Sequence, residues 1–233
     1  MIHQFIFAAP KPGMTEAEFQ KYWLEVHAVR YASKIRQIKK YLIDTRIDFS
    51  GDRGADPMFG GIAEIWINND KEQLESLQSP EFLEGARLDE PKWAAFWKTL
   101  VLDTDAHVLL EGPPPVKEPT GVKTVVLLRR KEGLTVEAFR KYALEKHAKL
   151  NLAVPGLRRL VYGTTRDGWY GFGEPRFDMV SQFWFDDLPS LEKAMASPEM
   201  AACREDDKNF VEMRYLFVMA VKEHWVIGPQ PRD

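Results

Sequence analysis

The chain of 233 residues is 45% hydrophobic and 29% charged, a balance that supports a buried core and excludes wholesale disorder or a fibrous repeat. The formal net charge of −3 supplies no basic field for a phosphate backbone, which argues against nucleic acid as the main partner. Cys203 is the single cysteine, so the sequence allows neither an internal disulfide nor a multi-cysteine metal site, and it fits a reducing cytoplasm.

The first element is an apolar run over Ile2–Ala8, which has the length of a β-strand. It lacks the basic leader and the cleavage site of a signal peptide, so we interpret it as the first strand of the fold. No window of the sequence reaches the roughly 20 apolar residues of a membrane helix. We therefore expect no membrane partner and a cytoplasmic location.

A helix is predicted after this strand. Thr15 is a favourable N-cap with Glu18 at the capping-box position, and apolar residues then recur at helical spacing. The remaining elements of this half follow in chain order: a strand over residues 39–47, a polar, glycine-rich loop over 50–60, a strand over 62–67, a helix around residues 79–81 and a strand over 107–110.

The same order of elements recurs after a proline-rich segment at residues 111–121. When residues 13–28 are placed over 133–148, nine of the sixteen pairs are identical, and His27 pairs with His147. An internal repeat on this scale indicates two copies of one folding unit. The strands of the second copy are predicted over residues 123–128, 158–164, 179–185 and 218–227.

The order of elements in each copy is β-α-β-β-α-β, the ferredoxin-like unit. We predict an α+β fold with a first repeat over residues 1–112, a linker over 113–121 and a second repeat over 122–233. The helices of such a unit cover one face of its antiparallel sheet, so the other face needs a cover. The second copy supplies it, and the two sheets are expected to pack into an intramolecular α+β barrel with a cavity in the middle. A homodimer of the tandem chain is a further assembly that the sequence allows.

The helix pattern F-x-K-Y-x-L-E-x-H-A, present in both copies, resembles that of the EthD-like proteins, which are named after ethyl tert-butyl ether degradation and belong to the dimeric α+β barrel superfamily. The second copy is the closer match, through PGLRRLVYG at residues 155–163 and DDKNFVEM at 206–213. The first copy departs from it with DEPKWAAFW at 89–97. The resemblance implies small apolar, aromatic or polyketide-derived carbonyl substrates. It also implies a superfamily range of cyclases, dehydratases, lactone isomerases, cofactor-free oxygenases and some haem enzymes.

His27 and His147 are the leading catalytic candidates. At the 100° per residue of an α-helix, each lies near the edge of the apolar face, from which an imidazole can reach the rim of a cavity. With a reference pKa of about 6.5, an imidazole can take a proton from the carbon alpha to a carbonyl or from a phenol. The alternative is that each histidine lies near the end of its helix and bonds the last carbonyls. Most of the weight for catalysis comes from the family resemblance.

Glu64 is the third catalytic candidate. Alternation along its strand predicts that Glu64 and Trp66 face the cavity while the aliphatic residues between them face the helices. A carboxylate in an apolar cavity is expected to have a raised pKa and to serve as a general acid or base. Gln182 holds the equivalent place in the second copy, which favours the first half as the competent pocket. The alternative is an ordinary hydrogen-bonded strand residue.

Substrate contacts are predicted for aromatic residues able to line a pocket for a flat ligand: Tyr22, Trp23, Tyr41, Trp66, Tyr142 and Trp184. Core packing is the alternative for the tyrosines. The sequence leaves open which face of the strand over residues 39–47 looks into the cavity, and Asp44 is expected to pair with Arg46 on the surface. His3 stands alone on a strand with the character of an edge.

The stretch GWYGFG at residues 168–173 is interpreted as a flexible aromatic loop. Its functional interpretation is a pocket lid, and the alternative is an ordinary hairpin loop. The sequence contains no P-loop, dinucleotide-binding glycine motif, nucleophile elbow or H-E-x-x-H motif, and no histidine or acidic spacing in it suits a metal site. We therefore expect neither a cofactor nor a metal.

Three functions remain open from the sequence. The first is a cofactor-independent lyase or isomerase, such as a dehydratase, cyclase or tautomerising enzyme, acting by histidine-assisted proton transfer on a small apolar, aromatic or polyketide-like carbonyl compound. The second is a noncatalytic protein that binds a small molecule in the same barrel. The third is a cofactor-free oxygenase or a haem-binding enzyme of the same superfamily.

Overall fold

The computed structural model describes residues 1–51 and 57–233. Residues 52–56, which belong to the loop predicted at 50–60, lie outside the described residues. The strands are β1 Ile2–Ala8, β2 Lys40–Ile47, β3 Gly61–Ile67, β4 Leu100–Leu110, β5 Val122–Leu128, β6 Arg159–Thr165, β7 Met179–Phe185 and β8 Phe217–Ile227. Each matches its predicted strand to within one residue, except that β4 begins seven residues before the predicted start at 107.

Each half carries its helices between the strands of the repeat. The first half has α1 Glu16–Tyr22, a π-helical segment Trp23–His27, α2 Ala28–Arg30, α3 Asp70–Gln78, a π-helical segment Glu81–Ala86 and α4 Arg87–Asp89. The second half has α5 Val136–Tyr142, a π-helical segment Ala143–His147, α6 Ala148–Leu152, α7 Asp167–Tyr170, α8 Leu188–Met195 and α9 Pro198–Phe210. Short 3-10 turns occupy Ala32–Lys34, Glu90–Lys92, Phe96–Lys98 and Met213–Tyr215.

The first helix of each half begins in the same way. Thr15 accepts a hydrogen bond from the Glu18 amide, and the Glu18 side chain accepts one from the Thr15 amide, which completes the predicted capping box. Thr135 caps α5 in the same manner, but the capping-box position of this helix is occupied by Ala138 instead of a glutamate. Gly13 and Gly133 precede these caps with φ of +85° and +86°, a left-handed conformation that favours glycine.

The strands close into one antiparallel barrel in the order β1-β3-β2-β8-β5-β7-β6-β4, with β4 returning to β1. Two seams join the halves: β2 pairs with β8, and β4 pairs with β6. The predicted intramolecular α+β barrel is therefore confirmed. The barrel closes within a single chain, and the linker between β4 and β5 crosses one of its ends.

Both faces of the sheet are buried. The barrel interior contains an apolar cluster built around Phe5, Phe7, Leu102, Val125 and Leu127. The outer face of each half packs against that half's helices, in one cluster around Phe19, Trp23 and Trp93 and in another around Phe139 and Phe210. Among the described residues, no helix is both long enough and apolar enough to cross a lipid bilayer.

Candidate functional site

Three cavities contain most of the residues that the sequence singled out. The first helix-side cavity, of about 110 Å³, lies between the sheet and the helices of the first half. The second helix-side cavity occupies the corresponding place in the second half and measures about 460 Å³. The barrel-mouth cavity, of about 430 Å³, lies inside the barrel at the end that the linker crosses.

The predicted site residues are divided among these cavities. Trp23, His27 and Tyr41 line the first helix-side cavity, and His147 lines the second. Glu64, Trp66 and Trp184 line the barrel-mouth cavity, on the opposite face of the sheet. Tyr22 and Tyr142 each donate a hydrogen bond to an aspartate beside the histidine of their own half. The structure thus places Glu64 apart from both histidines.

His147 lies between two aspartates of α9. Its Nδ1 lies 2.8 Å from Oδ2 of Asp206, and its Nε2 lies 3.3 Å from Oδ1 of Asp207. Burial acts to raise the pKa of Asp206, but hydrogen bonds from His147, Tyr142 and Asn209 outweigh it and hold that pKa below its usual range. Asp206 is therefore a carboxylate that only accepts hydrogen bonds, so the Nδ1 of His147 carries the hydrogen of this bond, and Nε2 lies beside Asp207.

The first half repeats this arrangement. His27 Nδ1 lies 3.0 Å from Asp89 Oδ2, and Tyr22 donates to Asp89 Oδ1 at 3.0 Å. Trp93 packs on the His27 ring at a centroid distance of 4.8 Å, as Phe210 packs on His147 at 4.8 Å. Burial lowers the pKa of His27 in spite of the opposing hydrogen bond and charge of Asp89.

A π-helical turn places each histidine. His27 and His147 are the last residues of the π-helical segments Trp23–His27 and Ala143–His147, so the 100° spacing of an α-helix does not describe their direction. Each histidine is buried, with 6% and 4% of its surface exposed, and each bonds an aspartate. The alternative in which they bond the last carbonyls of the helix is not what the structure shows.

Asp207 is the acidic group at the wall of the second helix-side cavity. Burial raises its pKa to about 6, although His147 opposes the rise. The carboxyl therefore changes protonation state close to neutral pH, which suits a group that exchanges protons during a reaction. Glu90 occupies the corresponding position in the first half, and burial also raises its pKa.

Replacing Asp207 with asparagine is expected to stabilise the protein above pH 6. In the native protein Asp207 holds its proton between about pH 4 and pH 6, where the unfolded chain has lost it. The folded state then binds more protons, so its stability falls as the pH rises through this window. Asp207→Asn removes that loss, which amounts to about 1–3 kcal/mol at pH 7.5. Urea unfolding at pH 4 and pH 7.5 measures the difference.

Asp206→Asn is the matched control for this experiment. The native pKa of Asp206 is lowered by its hydrogen bonds, which outweigh burial, so its contribution to stability is present above the unfolded pKa and is lost as the pH falls. Asp206→Asn is therefore expected to destabilise the protein at pH 7.5. If Asp207→Asn is less stable than the native chain at pH 7.5, this result would contradict the raised pKa assigned to Asp207.

Two substitutions between the repeats make the helix-side cavities unequal. Trp23 lines the first cavity, whereas the residue at the equivalent place in the second half is Ala143. Ser181 lines the second cavity, whereas its counterpart in the first is Ala63. The Ser181 hydroxyl is buried and has no hydrogen-bond partner among the described residues. The second cavity therefore has more room, and it has a donor for a ligand oxygen.

Glu64 belongs to a buried ion cluster inside the barrel. Its Oε1 accepts from Lys123 at 2.5 Å and from Gln182 at 2.7 Å, and its Oε2 accepts from His3 at 2.6 Å. Burial acts to raise the pKa of Glu64, but Lys123 and His3 outweigh it and hold that pKa well below its usual range. The predicted increase in the pKa of Glu64 is therefore wrong, because Lys123 from the second repeat forms an ion pair with it inside the barrel.

Two further expectations are corrected at this cluster. Asp44 is fully buried and lies 2.9 Å from Lys123 Nζ, so it does not pair with Arg46 on the surface. Arg46 instead pairs with Glu16 and Asp48. His3 is buried, and its strand β1 lies between β3 and β4, so it is not on an edge. Closure of the barrel removes the edges that the sequence order suggested.

The aromatic stretch at residues 168–173 contains part of α7 rather than only irregular loop. Trp169 Nε1 donates to Asp103 at 3.3 Å, and the Tyr170 hydroxyl donates to Asp178 at 2.7 Å. These bonds fix the two rings against the body of the protein. Phe172 is 93% exposed, and the interpretation of this stretch as a lid remains a prediction.

The sequence analysis did not identify Asp89 and Asp206 as partners of the histidines, because they lie 62 and 59 residues after His27 and His147. A signal does exist: aligning the repeats pairs Asp89 with Asp206 and Trp93 with Phe210, so both halves carry Asp-x-x-x-aromatic. Within residues 1–51 and 57–233, no group of three or more histidine, cysteine or acidic side chains could hold a metal ion.

Known proteins resemble the chain in sequence and in fold. The model of the EthD domain matches residues 11–96 and again residues 131–214. An anthrone oxidase-like protein of known structure is 12% identical with a TM-score of 0.62, covering 96% of this chain and 92% of that one. A protein named as a candidate monooxygenase from Fusobacterium nucleatum is 11% identical with a TM-score of 0.58, covering 100% and 97%. At these identities the two structures show the fold alone.

An EthD family protein from Bacillus halodurans is 29% identical, with a TM-score of 0.37, and covers 44% of this chain and 97% of its own. No curated protein matches the chain.

Proposed function

The chain belongs to the EthD family, whose domain it contains twice, and we propose that it is a lyase or isomerase that moves protons on a flat carbonyl compound in the second helix-side cavity. The observation that carries this proposal is the row Asp206–His147–Asp207 at the wall of a cavity of about 460 Å³. The proposal assigns proton transfer to side chains of the chain, without a resident cofactor.

The walls of the cavity suit an aromatic or polyketide-like substrate. Apolar side chains from the sheet and from the helices face it: Phe183, Phe185, Met195, Met200, Met213, Leu216 and Val218. Methionine side chains adapt to ligands of irregular outline, and the phenyl rings offer flat faces for stacking. Polar side chains, among them His147, Ser181 and Asp207, complete the lining, and such groups can set the orientation of a bound small molecule.

The reaction begins when His147 Nε2 takes a proton from the carbon alpha to the carbonyl. The electron pair of the broken C–H bond moves to the carbonyl oxygen, and the Ser181 hydroxyl donates a hydrogen bond to the enolate that forms. In an isomerisation the proton returns at another position. In a dehydration a hydroxyl group at the neighbouring carbon leaves as water with a proton from Asp207. Asp206 holds the imidazole in the tautomer that leaves Nε2 free to act.

Anthrone provides an assay for the proton-transfer step, because loss of a C10 hydrogen also places the electron pair on the carbonyl oxygen, here through the conjugated rings, and the name of one structural neighbour refers to this compound. In oxygen-free D₂O buffer the protein is expected to accelerate the loss of the C10 proton signal, as followed by NMR. His147→Ala is expected to lower the rate by about 100-fold or more, and Ser181→Ala by about 10- to 100-fold.

His27→Ala is the matched control, because it removes the same side chain from the narrow cavity. Its rate is expected to stay within about threefold of the native rate. Tight binding of anthrone without exchange would contradict the proposal and support the noncatalytic binding protein. An oxygen electrode and an absorption spectrum of the purified chain cover the oxygenase and haem alternatives, since oxygen uptake dependent on the protein or a Soret band would favour one of them.

The proposal includes a cytoplasmic location, which the free thiol of Cys203 supports. Cys203 lies at the wall of the second helix-side cavity. Burial raises the pKa of this thiol to about 11, which makes it unreactive. The proposal also includes the homodimer of the tandem chain, although closure of the barrel needs no second copy. Native mass spectrometry of the full chain gives the number of chains in the assembly.

A further inference from the structure

The barrel-mouth cavity lies on the opposite face of the sheet from the proposed reaction site. Its floor includes Glu64 and Glu223, which are both ion-paired with Lys123. Its walls are the indoles of Trp66, Trp184 and Trp225. The linker covers it with Pro113, Pro114, Pro115 and Val116 and again with Pro119, Thr120 and Gly121. The volume of about 430 Å³ is nearly that of the second helix-side cavity.

Two cations repeat at the rim of this cavity. Lys40 Nζ lies 4.2 Å from the centroid of the Trp66 ring, and the Arg159 guanidinium carbon lies 5.0 Å from the centroid of the Trp184 ring. Lys40 and Arg159 occupy equivalent positions in the two aligned repeats. The pseudo-symmetry of the barrel therefore brings both cation–indole pairs to the same opening. Such contacts hold the cationic head groups over the ring faces.

Neither cation forms an ion pair with a residue that the structure describes. Among the residues that the structure describes, no carboxylate lies within 4.0 Å of Lys40 or of Arg159. Burial lowers the pKa of Lys40, Glu64 opposes this, and the positive charge of Arg159 lowers it further. The positive charges of Lys40 and Arg159 therefore repel each other across the opening, and an anion bound between them reduces this repulsion.

Two hydrogen-bond donors at the same opening also find no partner in the part of the chain that the structure describes. Trp225 Nε1 and Arg159 Nε are buried, and neither has an acceptor among the described residues. Buried donors in folded proteins are almost always paired, and these two belong to side chains that line one cavity. They call for an acceptor-rich ligand, which a carboxylate supplies with its two oxygens.

We propose that the barrel-mouth cavity is a binding site for a flat aromatic carboxylate. The carboxylate lies between Lys40 and Arg159 and accepts from Trp225 Nε1, while the aromatic ring packs among the three indoles beneath the linker. The site is separate from the second helix-side cavity and does not depend on the chemistry proposed there. A ligand at this place bridges strands of both repeats, because Lys40 lies on β2 and Arg159 on β6.

Isothermal titration calorimetry with 2-naphthoate tests the site in the full chain. The native protein is expected to bind 2-naphthoate, and the neutral analogue 2-naphthylmethanol is expected to bind at least about tenfold more weakly. The double variant Lys40→Gln/Arg159→Gln is expected to lose at least about tenfold in affinity for 2-naphthoate, since it removes two charge-assisted contacts. Trp225→Phe keeps the ring, removes the N–H and is expected to weaken binding several-fold.

Lys39→Gln/Lys117→Gln is the matched control, because it removes the same charge near the same end of the barrel from side chains that do not line the cavity. Its affinity is expected to stay within about twofold of the native value. The proposal fails if 2-naphthoate does not bind at millimolar concentration, if the alcohol binds as tightly, or if a folded Lys40→Gln/Arg159→Gln variant binds as the native chain does. Circular dichroism establishes that each variant is folded.

Discussion

Replacing Lys123 with methionine is expected to lower the free energy of unfolding by about 3–5 kcal/mol. The Lys123 ammonium is fully buried inside the barrel, 2.5 Å from Glu64, 2.9 Å from Asp44 and 2.9 Å from Glu223. Burial raises the pKa of Asp44, so the cluster holds Glu64 as its deeply buried anion. Methionine fills a similar volume but leaves that anion without its counter-ion. Chemical denaturation at pH 7.5 measures the loss.

Lys222→Met is the matched control, because Lys222 lies on the neighbouring strand β8 and is exposed. It is expected to change the free energy of unfolding by no more than about 0.5 kcal/mol. Adding Glu64→Gln to Lys123→Met removes the unpaired anion and is expected to recover part of the lost stability. A loss below about 1 kcal/mol for Lys123→Met would contradict the role of Lys123 as the counter-ion of the buried Glu64 carboxylate.

Ala143→Trp is expected to abolish the binding of anthrone in the second helix-side cavity while leaving the fold intact. The tryptophan side chain reproduces what Trp23 does in the first half, where the cavity measures about 110 Å³ instead of about 460 Å³. Enlarging a side chain in a packed core usually costs about 1–3 kcal/mol, so the loss of stability is expected to stay below about 3 kcal/mol. The affinity for anthrone, followed by equilibrium dialysis, is expected to fall by at least about 30-fold, beyond the effect of a single lost contact.

Trp23→Ala is the reciprocal variant. Trp23 is buried and packs against Phe19 at 5.3 Å and Trp93 at 4.8 Å between ring centroids, so its removal is expected to cost about 3–5 kcal/mol. It enlarges the first cavity without adding the hydroxyl that Ser181 provides in the second. Anthrone binding unchanged in Ala143→Trp, or lost in Trp23→Ala, would place the ligand outside the second cavity.

The fold could be predicted from the sequence because its signals are local and occur twice. Residues 13–28, which contain His27, and residues 133–148, which contain His147, are identical at nine of sixteen positions. The alternation around Glu64 correctly indicates which side of β3 faces the helices. Both signals rest on spacing within a single element. Their repetition then implied that the second sheet covers the first.

The candidate site was harder to predict because its groups meet through the fold. His147 and Asp206 are 59 residues apart, and a π-helical turn that no spacing rule includes sets the direction of the imidazole. The sequence predicts a cavity in the middle of the barrel and names Glu64 as a catalytic candidate together with the two histidines. The cavities beside the histidines lie on the other face of the sheet, between strands and helices, and Lys123 reaches Glu64 from the other repeat.

One experiment tests the central claim that proton transfer occurs beside His147. Met195, Met200 and Met213 line the second helix-side cavity, and within residues 1–51 and 57–233 no methionine lines the first helix-side or the barrel-mouth cavity. Protein labelled with ¹³C at the methionine methyl groups is mixed with anthrone in oxygen-free D₂O and followed by NMR. Loss of the C10 proton signal together with shifts of those three methyl signals is the predicted result. Exchange that proceeds while the three signals stay unshifted would contradict it.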